Sequence, residues 1–319
     1  MARILTITLN PAFDVTIRLP VMEPGEVNRS SAVSTHPAGK GINVARVLAD
    51  LGHTVTVSGF LGQDNAGPFE ALFAEYRMTD AFVRVPGETR SNIKIAEDSG
   101  RVTDVNGPGP QIDETMQAAL RKQLQAIAPG HDAVVIAGSL PRGVEPVWLA
   151  ALITELGQLG LRVAVDTSGA ALQAALRAKP WLVKPNAEEL AHALGQPAED
   201  ESSLHTLAAQ LRALGIQHVV ASQGAQGVCW FGDGLALSAK PPRVTVLSTV
   251  GAGDSLLAGM VHGLLSDMPP ERALALATAI AAHAVTQVGV GVRDVSKITE
   301  LEQQVEVRPL ARDAHASRP

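Results

Sequence analysis

The sequence is short of several things, and each shortage removes a class of protein. A single cysteine, Cys229, in 319 residues excludes an internal disulfide and any zinc cluster built on cysteine. It fits a reducing compartment, so the cytoplasm is the expected location. The formal net charge of −6 provides no global attraction for nucleic acid or an acidic membrane. An anionic substrate would have to be drawn in by local donors. The nine histidines show no HExxH or comparable spacing, so no catalytic zinc site is expected. Neither Ser222-Gln223-Gly224-Ala225-Gln226-Gly227 nor Gly138-Ser139-Leu140-Pro141-Arg142-Gly143 ends in the Gly-Lys-Ser/Thr of a P-loop, and Gly251-Ala252-Gly253 lacks the third glycine of a dinucleotide fingerprint.

Long apolar runs are also scarce. Ala273 to Val292 is the one stretch worth testing as a membrane span, but Thr278, His283, Thr286 and Gln287 interrupt it, and it reads as a buried, alanine-rich helix pair or helix end. At the N-terminus one basic residue is followed by alternating β-branched and polar side chains, and Pro11 arrives before a signal-peptide core could form. That segment reads as a first strand. No internal repeat, low-complexity tract or linker divides the chain. Residues 309–319 are polar and aperiodic, and are expected to fray as a tail.

What is present is a regular alternation. With 46% hydrophobic residues the chain can build a substantial core. Three helix exits share one signature: Leu51-Gly52 before Val55-Thr56-Val57, Leu159-Gly160 before Val163-Ala164-Val165, and Leu214-Gly215 before His218-Val219-Val220. A glycine takes the left-handed cap and a β-branched run follows, as at helix-to-strand joints of parallel sheets. Ala133-Val134-Val135-Ile136-Ala137 is apolar on both faces, as a central parallel strand must be. The fold class is therefore α/β, with a mostly parallel central sheet flanked by helices on both faces. Two stretches break the alternation, Phe13 to His36 and Asn92 to Val105 with a turn at Asp98-Ser99-Gly100, and both read as antiparallel β. They could decorate the surface as separate hairpins, or pair into a small sheet acting as a lid that excludes water.

Several stretches could carry chemistry, and each has a plainer reading. Ser248-Thr249-Val250-Gly251-Ala252-Gly253-Asp254-Ser255 runs into an apolar segment of helical length. Its glycines and the helix start can turn N–H groups toward an anion, and Asp254 beside such a turn suits removal of a proton from an attacking group. An ordinary cap would look the same. Ser255, Gly259 and Gly263 recur every four residues and form a small-residue stripe for close helix packing. Ala38-Gly39-Lys40-Gly41-Ile42-Asn43 opens the first helix, its glycines letting a substrate approach the backbone and Asn43 able to bond a hydroxyl; a plain glycine-rich helix entry would share this composition. Arg90, Asn92 and Lys94 alternate on one strand face, which suits a phosphate or equally a solvated surface. Asn186 and Glu189 share the first turn of a helix after Lys184-Pro185, where they could reach Mg²⁺ directly or through water, or simply form a capping box.

Taken in order, Asn10-Pro11-Ala12-Phe13-Asp14, Gly39-Lys40-Gly41-Ile42-Asn43, Thr89-Arg90, Lys184-Pro185-Asn186-Ala187-Glu188-Glu189 and Val250-Gly251-Ala252-Gly253-Asp254-Ser255 resemble the ribokinase-like phosphofructokinase-B sugar kinases, from Arg3 to about Asp294. Within that family the chain looks most like the bacterial members that act on fructose 1-phosphate. The resemblance implies one kinase domain over residues 1–308 with a discontinuous β lid at about 12–36 and 90–108. It implies ATP-dependent phosphorylation of the 6-hydroxyl of fructose 1-phosphate, with tagatose 6-phosphate or fructose 6-phosphate as the alternatives and a non-catalytic sugar-phosphate sensor as a remote one. By the same resemblance Asp254 is the base and Gly251, Ala252 and Gly253 form the anion hole. Asn186 and Glu189 organise Mg²⁺. Lys184, Asn186, Ser222, Gly224, Gly227, Ser248, Thr249, Val250, Gly251, Gly253 and His283 line the ATP site, and Asp14, Gly39, Lys40, Asn43, Arg90 and Ser139 the sugar-phosphate site, with Asn92 and Lys94 added to it. The small-molecule partners are ATP and the sugar phosphate, and the resemblance allows a homodimer paired through the lid. Ala38 stands where many relatives have a glycine, and Gln223 where leucine is frequent. The first departure costs little if the backbone at Ala38 is ordinary.

Overall fold

The computed structural model describes residues 1–287, 289–292 and 294–310. Among these residues the strands are β1 Arg3–Thr8, β2 Ala12–Leu19, β3 Ala32–Ala38, β4 Thr54–Gly62, β5 Thr79–Val85, β6 Arg90–Glu97, β7 Val102–Asn106, β8 Ala133–Ala137, β9 Arg162–Asp166, β10 Leu182–Val183, β11 His218–Ser222, β12 Val228–Gly232, β13 Leu235–Lys240 and β14 Glu306–Pro309. The helices are α1 Lys40–Asp50, α2 Gly67–Glu75, α3 Glu114–Ile127, α4 Pro146–Gln158, α5 Gly169–Arg177, α6 Ala187–Leu194, α7 Glu201–Ala213, α8 Ala252–Leu265, α9 Pro270–Ala284 and α10 Val295–Glu302. All three joints foreseen from Leu-Gly pairs lead into strands, and Gly52, Gly160 and Gly215 have positive φ.

The main sheet has ten strands in the order β14-β13-β12-β11-β10-β9-β8-β1-β4-β5. From β5 through to β11 every pairing is parallel, and the antiparallel β12, β13 and β14 finish one edge. Parallel strands covered on both faces must be apolar on both faces, and β8 is buried at every position. In β1, Ile4 packs in one apolar cluster with α1, α8 and α9, while Leu5 and Ile7 pack in another with α3 and α4. The chain steps from β1 outward to β4 and β5, then returns to β8 on the other side of β1. The direction of winding therefore reverses between β1 and β8, and a crevice opens outside the carboxyl ends of strands at such a reversal.

The two irregular stretches form one four-stranded sheet, β3-β2-β6-β7. Each is an antiparallel hairpin, as the alternation indicates, but they join through β2 and β6 in parallel. Both strands leave the same carboxyl edge of the parallel sheet, β2 after β1 and β6 after β5, so they must run the same way. At the other end of the chain, β14 extends through Pro309, and Leu310 is buried with its N–H donating to Ala236 O at 2.9 Å. This corrects the expected tail boundary: pairing with β13 satisfies the backbone there. Residues 311–319, and Val288 and Arg293, lie outside the described residues. No helix of the described residues is long and apolar enough to cross a membrane, and Ala273 to Ala284 lies within α9.

The stripe on α8 works as its spacing indicates. A Cβ on Gly259 would sit 2.6 Å from Ala277 Cα, and one on Gly263 would sit 2.7 Å from Ala273 Cβ. Only glycine lets α8 lie this close to α9, which fixes the start of α8 over the end of the sheet.

Candidate active site

A cleft of about 460 Å³ lies at the reversal point, with the small sheet forming one of its walls. Asn10 follows β1, Gly138 and Ser139 follow β8, Asp166 ends β9 and Thr167 follows it; all of them line the cleft. The lid contributes Asp14, Arg90 and Asn92 from the face that alternation turns inward. The starts of α1, α6 and α8 add Gly39, Lys40, Asn43, Lys184, Asn186, Glu189, Gly251, Gly253 and Asp254, and the rim adds Ser222, Thr249 and Val250. Most of the residues singled out in the sequence thus converge.

Asp254 lies in the first turn of α8 and is only 6% exposed. Burial, reinforced by the negative charge of Asp166, pushes its pKa up to about 6, against the pull of the Asn43 hydrogen bond, Lys40 and Lys184. Asn43 Nδ2 donates to Asp254 Oδ2 at 2.8 Å. The amide expected to hold a substrate hydroxyl lines the cleft and also orients the carboxylate. Gly251 caps α8 in the left-handed conformation, φ 81°, and a Cβ there would meet Val290 Cγ2 at 2.4 Å. The first-turn N–H groups of an α-helix lack intrahelical acceptors, so α8 presents them, with its dipole, at the cleft. Ala252 N lies 3.4 Å from Thr249 O and does not line the cleft, whereas Gly251 and Gly253 do.

The glycines around Lys40 also serve packing. A Cβ on Gly41 would fall 2.4 Å from Thr8 Oγ1 and 2.9 Å from Ile7 O, so α1 is pressed against the end of β1. Gly39 has φ 137° and faces Thr8 and Pro11. Ala38 has no positive φ, so its replacement of a glycine is free of strain.

Cations line the cleft at two places. Lys40 Nζ is 3.2 Å from Asp166 Oδ1, and Lys184 Nζ is 3.2 Å from Asp166 Oδ2. Burial pushes the Lys40 ammonium toward neutrality, but the carboxylates of Asp166, Asp254 and Glu189 outweigh it and hold its pKa above the ordinary value. Under the lid, Arg90 donates from Nη1 to Gly107 O at 2.9 Å and from Nη2 to Asn10 O at 3.3 Å, and burial lowers its pKa. Asn92 Nδ2 donates to Asp14 Oδ1 at 3.3 Å, and burial raises the pKa of Asp14 despite that bond. Asn10 Nδ2 reaches both Ser139 Oγ and Leu140 O. Four buried side-chain atoms of lining residues, Asn10 Oδ1, Arg90 Nε, Asn92 Oδ1 and Thr167 Oγ1, have no hydrogen-bond partner among the described residues. Such atoms are costly unless a polar ligand completes them.

Asn186 and Glu189 do form the capping box: Glu189 N donates to Asn186 Oδ1 at 2.7 Å, and Asn186 N donates to Glu189 Oε2 at 2.9 Å. Both still face the cleft. Mg²⁺ keeps several waters and takes only one or two carboxylates besides substrate phosphates, so this oxygen set fits it through water.

Some expected residues lie elsewhere. Lys94 shares the inward lid face but does not line the cleft. Gly224 and Gly227 flank a single 3₁₀ turn, and a Cβ on Gly227 would meet Ala239 O at 2.2 Å, so that glycine serves the β12–β13 pairing. Ser248 Oγ accepts from Val250 N at 3.2 Å and shapes the rim without lining it. His283, in the last turn of α9, is buried with Nδ1 unpartnered among the described residues, and it too is outside the lining. The residues missed from the sequence are Asn10, Gly138, Asp166, Thr167 and Ser168. The signal was there: the apolar run Val163-Ala164-Val165 ends on three polar residues, at the carboxyl end of a central parallel strand.

A doubly wound α/β sheet with a glycine-capped helix start, a buried carboxylate and converging cations at the winding reversal defines a class of enzyme that handles phosphorylated small molecules. The chain belongs to the pfkB family of carbohydrate kinases, whose family model matches residues 7–297. It is 46% identical over 308 residues to the 1-phosphofructokinase of Vibrio cholerae, covering 97% of each chain. It is 43% identical over 307 residues to the 1-phosphofructokinase of Escherichia coli, covering 96% of this chain and 98% of that one. Among solved structures, the phosphofructokinase-2 of Escherichia coli in complex with fructose-6-phosphate superposes with a TM-score of 0.85 at 28% identity, over 95% of this chain and 99% of that one.

Proposed function

We propose that the protein transfers the γ-phosphoryl group of ATP to the 6-hydroxyl of fructose 1-phosphate, giving fructose 1,6-bisphosphate and ADP. The observation that carries this reading is Asp254: a buried carboxylate oriented by Asn43, set in the first turn of α8, in a cleft lined also by Lys40, Lys184 and Arg90. Asp254 takes the proton from the attacking hydroxyl. The N–H groups at Gly251 and Gly253 and the dipole of α8 stabilise the charge on the phosphoryl group in transfer, while Ala252 N–H is turned to Thr249 O. Base catalysis supplies ~10²–10⁴-fold, so alignment and charge stabilisation must supply most of the acceleration. Mg²⁺, when bound, neutralises charge on the nucleotide phosphates, and Asn186 and Glu189 would hold it through water. Asp14, Asn92 and Arg90 under the lid suit the hydroxyls and phosphate of the sugar, and the rim at Ser222, Thr249 and Val250 suits the nucleotide.

The choice among sugar phosphates follows the relatives at 43 and 46% identity in preference to the structural neighbour at 28%. Steady-state rates with MgATP and fructose 1-phosphate, fructose 6-phosphate or tagatose 6-phosphate test it. The highest kcat/KM is expected with fructose 1-phosphate; a preference for either other sugar refutes the assignment. The reducing cytoplasm suits an enzyme whose one cysteine is buried and free. The outward lid face carries Ile17, Val33, Ile93, Ile95, Thr35, Thr103 and Val105, of which Val33 and Val105 are exposed, and its one strand carboxylate, Glu97, is buried and paired with Arg101 at 2.6 Å. A mostly apolar face whose carboxylate is already paired can meet its own copy without like-charge repulsion, and we assign it to a second copy of this chain.

A further inference from the structure

Asp166 is the buried titratable group that the mechanism above leaves unused. It ends β9, is 2% exposed, and its backbone carbonyl accepts from Gly138 N at 2.9 Å, which fixes it to the neighbouring strand. Its two carboxylate oxygens are divided between two lysines, Oδ1 to Lys40 and Oδ2 to Lys184, each at 3.2 Å. The lysines come from different elements, one opening α1 and the other following β10. The side chain of Lys184 is 5% exposed, and an ammonium buried to that degree without a partner is strongly disfavoured. That of Lys40 is 42% exposed on a flexible stem, so without Asp166 nothing in this network would hold it in one place. A position reached by Gly253 lies beside the pair, since a Cβ there would be 3.4 Å from Lys184 Nζ.

We propose that Asp166 is a positioning residue, which locks Lys40 and Lys184 as two fixed charges beside Asp254 and acts on turnover through them. The inference rests on the kinase reading of this cleft. It competes with a simpler role, in which a carboxylate in the cleft ligates the divalent cation directly.

The test is a double-substitution cycle on the full chain, with wild type, Asp166→Asn, Lys40→Met and both together assayed for kcat with fructose 1-phosphate at saturating MgATP. Asp166→Asn is expected to lower kcat by about 10²-fold in the wild-type background, the order of loss that follows slight misplacement of catalytic groups. In the Lys40→Met background the same change is expected to cost at most about tenfold, because groups in one network are not additive. Multiplicative losses, or recovery of Asp166→Asn when free Mg²⁺ is raised, overturn the proposal. Thermal melting of each protein reports folding. If Asp166→Asn does not fold, the cycle is run on Lys184→Met proteins, in which the ammonium left unpaired is also removed. A wild type with no turnover of fructose 1-phosphate refutes the kinase reading itself, whereas an active wild type with multiplicative losses refutes only the role of Asp166.

Discussion

At the scale of single residues, the chemistry of the cleft depends on how strongly its neighbours perturb Asp254. With a pKa raised to about 6, Asp254 is ionised and able to accept a proton above that pH and is protonated below it. The kcat/KM for the sugar phosphate is therefore expected to fall as pH drops through about 6. The substrate phosphate also titrates near pH ~6, so the informative comparison is between two proteins. Asn43→Ala removes the hydrogen bond that favours the ionised form, and the acid limb is expected to move to higher pH. Matched pH profiles of the two proteins check this; an unmoved limb would show that Asn43 does not tune the base. Sequence reading found Asp254 because a carboxylate beside a glycine turn is chemically odd. It did not foresee the bond from Asn43 to Asp254, because nothing in the sequence brings residue 43 to residue 254, which are joined only when α1 and α8 pack side by side.

At the scale of elements, most of the fold was legible and the contacts between elements were not. The helix-exit glycines and two-faced apolar strands announce a parallel sheet, and the small-residue stripe on α8 announces a close neighbour. The parallel joint between β2 and β6 was hidden, because strand direction across a long insertion is set by which edge of the main sheet each strand leaves. Asp166 was missed because its strand gave no glycine-rich loop to attract attention. The reason for Gly39 and Gly41 was also hidden, since the pressure on them comes from Thr8 and Pro11, distant in the chain. Gly259→Ala tests the packing of α8 on α9 directly. Its Cβ would fall 2.6 Å from Ala277 Cα, and overpacking of this kind costs about 1–3 kcal/mol. Urea unfolding should show that loss, together with lower activity if the start of α8 shifts.

At the scale of the whole molecule, stability should depend on pH more steeply than the modest net charge indicates. Burial lowers the pKa of His53, His131, His218, His262 and His283, with His53 and His218 at about 4. His53 accepts from Ala2 N through Nδ1, and its Nε2 lies 2.8 Å from His262 Nδ1, so the pair ties β1 to the far end of α8. A histidine whose folded pKa lies below 6.5 contributes stability that is full above 6.5 and shrinks as pH falls toward the folded value. Asp254 and Asp14, with raised pKa values, act in the opposite sense as they take up protons, but the histidines outnumber them. Unfolding free energy is expected to decline from pH 6.5 toward 4, with His53→Gln flattening the decline, and urea titrations at several pH values measure it. At the same scale the proposed pairing through the outward lid face predicts that Val33→Glu with Val105→Glu gives a monomer in sedimentation where the wild type gives a dimer, while each chain stays folded. The account as a whole stands on Asp254 removing the proton from the sugar hydroxyl within this assembled cleft, and the most direct test is kcat of Asp254→Asn with fructose 1-phosphate and MgATP. It predicts a folded protein that binds ATP as wild type does and turns over ~10²–10⁴-fold more slowly; wild-type turnover from that variant would contradict it.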